Sequence, residues 1–268
     1  MRPDFAAHEW LSLFFFSFFL VLAWLRPLDW RHRLNVTTLG VVSILLLVLL
    51  PRFGQQTATL RKFLPLILIP MAYWQTAHFP APVNEGLQRA LAAIDDRIFS
   101  ALKGFSLPAG LKRLTHIYLE CAYLMVYPLV PSGLAVLYYA GAIERVGEFW
   151  TVVLPPAYLC YATLPFVRTL PPRRLQEARI PEAPQTGMRR FNLIVVRLVT
   201  HQANTFPSGH AAAAVAVALE LISAVPAAGF IYLVIAISIM VSAFVGRYHY
   251  ALDVALGAAL SCISFLLA

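Results

Sequence analysis

The stretch FIYLVIAISIMVSAFV, residues 230–245, carries no charged side chain, and it decides which folds are open to the chain. A helix needs about 20 mostly apolar residues to span the hydrocarbon core of a bilayer, with roughly 17 as the lower limit. Similar apolar blocks recur along the 268 residues, of which 60% are hydrophobic and only 13% are charged. Soluble domains usually contain about 25% charged residues, so this chain has too little polar surface to cover a soluble core. The sequence predicts an integral membrane protein.

Eight apolar segments are candidate membrane spans. They are residues 10–25, 34–50, 64–79, 117–139, 150–167, 211–225, 230–245 and 250–267. Some of these segments are short, so we expect seven to eight spans. Pro70 interrupts the third segment, which a packed bundle of helices tolerates. The predicted fold class is all-α, a polytopic transmembrane helical bundle.

The net charge of +8 bears on partners and on orientation. On a soluble protein such a charge would suggest that the protein binds nucleic acid. Here the basic residues lie between apolar segments, so binding to anionic lipid explains them better. We expect membrane lipids and no nucleic acid as partners, and the oligomeric state stays open. Of the 21 lysines and arginines, 16 lie in four connections that share one face if every segment spans. The positive-inside rule favours the cytoplasm for that face, in what we take to be a bacterial inner (plasma) membrane, and the side of the membrane that carries the active site stays open.

The first chemical feature is Pro207-Ser208-Gly209-His210, which Asn204-Thr205-Phe206 precedes and four alanines follow. The pattern is typical of a loop that ends in a helix, with Ser208 as a good N-cap residue. The free N–H groups and the dipole of such a helix end attract anions, and Gly209 lets a ligand approach the backbone closely. His210 would then face the bound anion. The alternative is an ordinary capped helix with an incidental histidine.

The second feature is Gly246-Arg247-Tyr248-His249-Tyr250-Ala251-Leu252-Asp253, which opens the last apolar segment. His249 and Asp253 are four residues apart and would share one helical face. A carboxylate there can hold one ring nitrogen and leave the other aimed outward, as a nucleophilic histidine requires. Such pairs are usually structural, but ionisable residues at a membrane boundary are costly unless they serve a polar cavity.

The third feature is a basic connection after the fifth apolar segment. Arg168, Arg173 and Arg174 fall in the string Phe166-Val167-Arg168-Thr169-Leu170-Pro171-Pro172-Arg173-Arg174, and Arg179 follows. Arginine forks suit phosphate oxygens, although arginines at the end of a span are often membrane anchors. Further along, residues 188–200 form either a short basic helix at the membrane interface or a solvated loop.

Together these strings resemble the type 2 phosphatidic acid phosphatase superfamily. The family's Pro-Ser-Gly-His motif is complete at 207–210. Its third motif, Ser-Arg, five residues, His, three residues, Asp, matches at Ser242, His249 and Asp253, but Ala243 stands where the arginine belongs. The first motif also departs, because Pro-Pro-Arg at 171–173 replaces Arg-Pro. That string and Ala-Ile-Asp-Asp-Arg at 93–97 are similar to the inositol phosphorylceramide synthase-like branch of the superfamily.

The resemblance implies a six-helix catalytic core within a catalytic helical domain at residues 61–268. Residues 1–60 would form an N-terminal transmembrane hairpin that adds about two spans. The implied activity is metal-independent phosphoryl transfer on a lipid phosphate through a phosphohistidine, with His249 as nucleophile, Asp253 orienting it and His210 as proton donor. The groups implied to hold the phosphate are Arg168, Arg173, Arg247, Ser208 and Gly209. We expect no cofactor and no metal.

Three functions remain open on the sequence. The first is a lipid phosphatase, and the second is a phosphotransferase that moves a phosphate-bearing headgroup to a lipid alcohol. The third is a non-catalytic membrane carrier or scaffold, against which the intact His210, His249 and Asp253 argue. The first two functions differ in whether water or a lipid alcohol accepts the phosphoryl group, and the shape of the pocket determines which of them can bind.

Other ionisable residues lie in or near the predicted spans. We expect Glu220 to pair with a tyrosine or an arginine inside the bundle, because about 15 Å of helix separates it from His210. Glu120 lies nearer the active face and is expected to position an arginine or a headgroup. The remaining histidines lack a partner in the sequence and are interpreted as interfacial or solvated; they are His8, His32, His78, His116 and His201.

Overall fold

The computed structural model describes residues 5–102, 108–174, 186–201 and 204–268, and Arg179 of the basic connection lies outside these ranges. The described chain forms helices, with isolated bridges but no strand within those ranges. The helices are α1 (Ala7–Leu25), α2 (Trp30–Leu49), α3 (Ala58–Phe63), α4 (Pro65–Ala77), α5 (Glu85–Leu102), α6 (Ala109–Leu124), α7 (Val126–Tyr139), α8 (Val146–Ala162), α9 (Gly187–Val199), α10 (Gly209–Ala224), α11 (Pro226–Val245) and α12 (Ala251–Leu267). The prediction of an all-α membrane bundle is confirmed.

Three helical stretches of the described chain are long and apolar enough to cross a membrane. They are α1, the stretch Trp30–Phe63, which is kinked at Gly54, and α11. The helices α4, α8, α10 and α12 have 13, 17, 16 and 17 residues, at or below the usual length of a span. The predicted count of seven to eight spans therefore exceeds what helix length alone supports.

The predicted span at 117–139 is not one helix. It forms α6 and α7, which meet at an angle of 60°. The break has a local cause: Pro128 has no N–H, so the carbonyl of Leu124 has no partner four residues on. Counted together, the bent pair gives a fourth crossing.

Helix α10 lies at the centre of the bundle, packed against α7, α8, α11 and α12. Its sequence, GHAAAAVAVALELISA, is rich in alanine, and the side chains of Ala211, Ala212, Ala214, Ala216 and Ala218 are fully buried. Small side chains let several neighbours approach one helix closely, which is how membrane helices commonly pack. The helix that begins at the Pro-Ser-Gly-His motif is thus held on several sides.

The N-terminal helices are fastened to the rest of the bundle. The carboxylate of Glu9 on α1 accepts two hydrogen bonds from the guanidinium of Arg61 on α3, at 2.8 and 2.6 Å. The hydroxyl groups of Ser12 on α1 and Tyr158 on α8 are 3.1 Å apart. These contacts fix α1 beside α3 and α8.

Backbone hydrogen bonds join the connections at one end of the bundle. The N–H of Asn84 donates to the carbonyl of Arg168 at 2.8 Å, and the N–H of Arg173 donates to the carbonyl of Arg247 at 3.1 Å. The residues that carry the three sequence motifs are therefore gathered at this end.

Glu220 of α10 lies away from that end. Its carboxylate is 3.5 Å from the guanidinium of Arg145, which also pairs with Glu148 at 2.7 Å. The expected pairing of Glu220 with an arginine is confirmed.

Candidate active site

The Pro-Ser-Gly-His motif forms the predicted capped helix start. Ser208 is the N-cap of α10, and its side chain accepts the N–H of Ala211 at 3.4 Å. The N–H of Ser208 donates to the carbonyl of Asp253 at 3.0 Å, so the motif is tied directly to α12. The hydroxyl of Thr205 accepts the N–H of Gly209 at 3.2 Å.

The turn between α11 and α12 carries the third motif. His249 lies two residues before α12 begins, so its prediction as part of a helical face with Asp253 was wrong. The imidazole still points to that residue, with Nδ1 3.5 Å from Oδ2 of Asp253. Arg247 has a φ of 58°, a left-handed conformation that is uncommon for residues other than glycine. The turn thereby reverses the chain just before the histidine.

Asp253 is fully buried, and its Oδ2 atom is shared by three groups. It accepts the side-chain amide of Asn204 at 2.6 Å and the N–H of Tyr250 at 3.1 Å, and the His249 ring is the third neighbour. The role of Asn204, which comes just before the Pro-Ser-Gly-His motif, was missed by the sequence reasoning.

The two predicted histidines are in contact. Nε2 of His249 is 3.4 Å from Nδ1 of His210, and the ring centroids are 5.4 Å apart. His249 is only 4% exposed. Both rings line one cavity of about 560 Å³. A pair of adjacent imidazoles in a partly closed cavity can supply one nucleophile and one proton donor to a single bound group.

The cavity is polar at this histidine end and mostly apolar elsewhere. Its other lining residues include Leu66, Ile69, Pro70, Val126, Val130 and Leu198. Aromatic side chains surround the histidines, and His210 packs against Tyr123 with ring centroids 5.2 Å apart and planes at 23°. A ligand that fits this cavity combines a small anionic group with a longer apolar part.

The arginines predicted to hold phosphate have different positions. Arg173 lines the cavity, and its guanidinium lies 5.1 Å from the centre of the Tyr248 ring. Arg168 and Arg247 are not among the described residues that line the cavity. Arg247 instead lies 5.6 Å from the centre of the Phe99 ring on α5. Of the predicted backbone and hydroxyl groups, Gly209 lines the cavity, and Ser208 lies fully buried behind it.

Glu120 forms a buried network behind the cavity. One carboxylate oxygen accepts a hydrogen bond from Nη1 of Arg189 at 2.7 Å. The other accepts hydrogen bonds from the side-chain amide of Asn192 at 2.7 Å and from the hydroxyl of Tyr248 at 2.6 Å. Arg189 also donates to the carbonyl of Gly246 at 3.1 Å. Burial raises the pKa of the Tyr248 phenol, which keeps it a hydrogen-bond donor. The expectation that Glu120 positions an arginine is confirmed, although the arginine comes from α9.

Two histidines outside the site have surroundings that the sequence did not show. His8 was interpreted as interfacial or solvated, and this was wrong, because its side chain is buried at 7% exposure. His201 is partly buried and packs against Trp74 and His78 with ring centroids 4.4 and 4.8 Å apart. Burial, followed by the neighbouring His78, lowers the pKa of its ring to about 4. The ring is therefore neutral at physiological pH.

Comparison with known families agrees with this geometry. A model of the PAP2 superfamily matches residues 89–267, which is more than half of the chain. The chain belongs to the PAP2 superfamily. Its members are generally phosphatases or phosphotransferases, and this PAP2 protein is therefore an enzyme of that general type. The matched residues include both histidine motifs and begin within α5. No curated protein and no solved structure matched the chain.

Proposed function

We propose that the protein is an integral membrane phosphatase that acts on a lipid phosphate through a phosphohistidine. The observation that carries this proposal is the 3.4 Å contact between Nε2 of His249 and Nδ1 of His210, in a cavity whose remaining lining is largely apolar. The histidine end suits the phosphate, and the apolar part suits acyl or prenyl chains.

In the first step, the Nε2 lone pair of His249 attacks phosphorus. The bond between phosphorus and the lipid oxygen breaks, its electron pair leaves with that oxygen, and His210 donates a proton to it. An in-line displacement places the nucleophile and the leaving group on opposite sides of phosphorus, so the rings part as substrate enters. Asp253 stabilises the positive charge that develops on the His249 ring.

In the second step, water attacks the phosphohistidine. His210 accepts a proton from the water, the phosphorus–nitrogen bond breaks, and inorganic phosphate leaves. Arg173 and Gly209 both line the cavity beside the histidines, and we assign the phosphate oxygens to the Arg173 guanidinium and to the N-terminal end of α10. Charge from an arginine and a helix N-terminus can stabilise a phosphoryl transition state without a metal.

A phosphotransferase is the second candidate. The cavity of about 560 Å³, with its apolar lining, has room for a lipid alcohol that would replace water in the second step. The Pro-Pro-Arg string at 171–173, which resembles the inositol phosphorylceramide synthase-like branch, favours this candidate, since Arg173 is the arginine that lines the cavity. We place the enzyme in a bacterial plasma membrane.

The test uses purified protein in vesicles with a panel of phosphate-bearing lipids, with and without lipid alcohols. Free phosphate supports the phosphatase, and an exchanged headgroup supports the transferase. His249→Ala should abolish turnover and the acid-labile phosphoprotein that rapid quenching traps. His32→Ala, a half-exposed histidine outside the cavity, is the matched control. Full activity of His249→Ala would refute the assignment.

A further inference from the structure

Helix α9 buries polar side chains against the bundle and exposes large apolar side chains on its outer face. Arg189 and Asn192 face inward and are 5% and 0% exposed. The large apolar side chains Phe191, Ile194 and Leu198 face outward and are 54%, 55% and 73% exposed. A helix on the surface of a soluble protein shows the opposite arrangement, with its apolar stripe against the core. The outer face of α9 is therefore built for an apolar environment.

The inward face fixes this orientation. Glu120 of α6 accepts hydrogen bonds from both Arg189 and Asn192 at 2.7 Å. Turning α9 over would leave the buried carboxylate of Glu120 without its charged partner, which is strongly unfavourable. The apolar residues consequently stay outside. Helix α6, against which α9 packs, also exposes Leu114.

Two arginines flank the outer apolar face. Arg190 and Arg197 are both exposed and lie on the same side of α9 as Phe191 and Ile194. Basic residues beside exposed apolar ones are typical of a helix that lies in the plane of a membrane interface. The arginines complement anionic headgroups at that depth, and the apolar side chains complement the acyl region.

The C-terminal turn of α9 reaches the catalytic cavity. Val196, Leu198, Val199 and Thr200 all line it. Leu198 is at the same time 73% exposed, so one side chain borders both the cavity and the surroundings of the protein. The outer face of α9 and the apolar lining of the cavity thus form a continuous surface.

We propose that α9 lies in the membrane interface against anionic lipid and that its C-terminal turn, residues 196–200, is the portal through which a bilayer lipid enters the cavity. The portal rests on the proposed function, because it needs a lipid substrate. The position of α9 against lipid can be measured without any turnover.

The first experiment measures that position. The three cysteines are replaced by alanine, and a nitroxide label is attached at Ile194→Cys in vesicles that contain anionic phospholipid. Val234→Cys on the long apolar helix α11 is the lipid-exposed reference, and Glu144→Cys in the turn before α8 is the aqueous reference. We expect the Ile194 label to lie at a depth between Val234 and Glu144, with more access for oxygen and less access for a charged nickel chelate than the Glu144 label. A match to Glu144 would overturn the proposal, as would shielding from both reagents, which would indicate a protein partner on this face.

The second experiment tests the portal. In Arg190→Glu/Arg197→Glu the KM for a long-chain lipid phosphate in anionic vesicles should rise about tenfold, because each basic residue contributes to attraction by the surface. The KM for a short-chain, water-soluble phosphate ester should not change. Arg52→Glu, an exposed arginine outside the described cavity lining, is the matched control. An equal KM for wild type and the double variant on the long-chain lipid would overturn the portal. Absence of turnover by the wild-type protein would refute the proposed function, and the label would still decide where α9 lies.

Discussion

A single methyl group at Gly257 should separate the two histidine motifs. Gly257 lies on α12 one turn after Asp253, directly against the backbone of the Pro-Ser-Gly-His motif. A Cβ atom added there would lie 2.4 Å from the carbonyl oxygen of Ser208 and 3.3 Å from the N–H nitrogen of Ala212. Side-chain Cβ atoms essentially never approach closer than 3.0 Å, and here the obstacle is backbone. In Gly257→Ala, α10 and α12 must therefore move apart by more than half an ångström.

That displacement acts on the reacting groups. The hydrogen bond from Ser208 to the carbonyl of Asp253 and the contact between His210 and His249 both cross the interface between the two motifs. A misplacement of about 1 Å can cost about 100-fold in rate, so we expect kcat to fall by about 10- to 100-fold. Overpacking of this kind also lowers the free energy of unfolding by about 1–3 kcal/mol.

The assay is the release of phosphate from a lipid phosphate in vesicles, together with thermal unfolding of the same preparation. Gly147→Ala is the matched control, because a Cβ atom on that glycine of α8 meets no atom within 4 Å. It should keep both kcat and the unfolding temperature. A folded Gly257→Ala with kcat within twofold of wild type would show that the close approach of α10 and α12 does not set the geometry of the histidines.

Three further predictions concern carboxylates. Asp253→Asn should stay folded and lose about 10²- to 10⁴-fold in kcat, because the ring it orients no longer has a charged partner; a wild-type rate would contradict this. Glu120→Gln leaves the buried charge of Arg189 without its counter-ion and should lower the free energy of unfolding by about 3–5 kcal/mol. Adding Arg189→Met to that variant removes the unpaired charge and should restore part of the lost stability, as thermal unfolding would measure. Burial raises the pKa of Asp95, which accepts the N–H of Ala251, to about 6, so its stabilising contribution is present in acid and is lost as pH rises through 6. The difference in free energy of unfolding between Asp95→Asn and wild type should therefore shift by roughly 1 kcal/mol in favour of the variant from pH 5 to pH 8. A difference that is the same at both pH values would contradict the assignment.

The membrane fold was predictable because hydropathy acts over whole segments. Each of the eight apolar segments forms helix in the structure, although 117–139 breaks into two helices where Pro128 removes a hydrogen bond. The juxtaposition of His210 and His249 was also predictable. Each histidine lies in a connection just before an apolar segment, and the count of apolar segments puts these two connections at the same end of the bundle.

Several parts of the site could not be predicted because they depend on tertiary contacts. The spacing of His249 and Asp253 suggested a shared helical face, but Asn204 and the N–H of Tyr250 are the nearer partners of the carboxylate. Arg247 follows the basic pattern of a phosphate ligand, yet its positive φ belongs to a turn that places its guanidinium over Phe99. No local signal joins Glu120 to α9, which comes more than sixty residues later.

The burial of His249 has a kinetic consequence. The His249 ring is 4% exposed and shares its cavity with His210, so in the proposed mechanism the departing alcohol and the incoming acceptor both occupy the space in front of these two rings. If the alcohol leaves that space before the acceptor binds, the two half-reactions alternate. Double-reciprocal plots at several acceptor concentrations should then give parallel lines, the ping-pong pattern of a covalent relay.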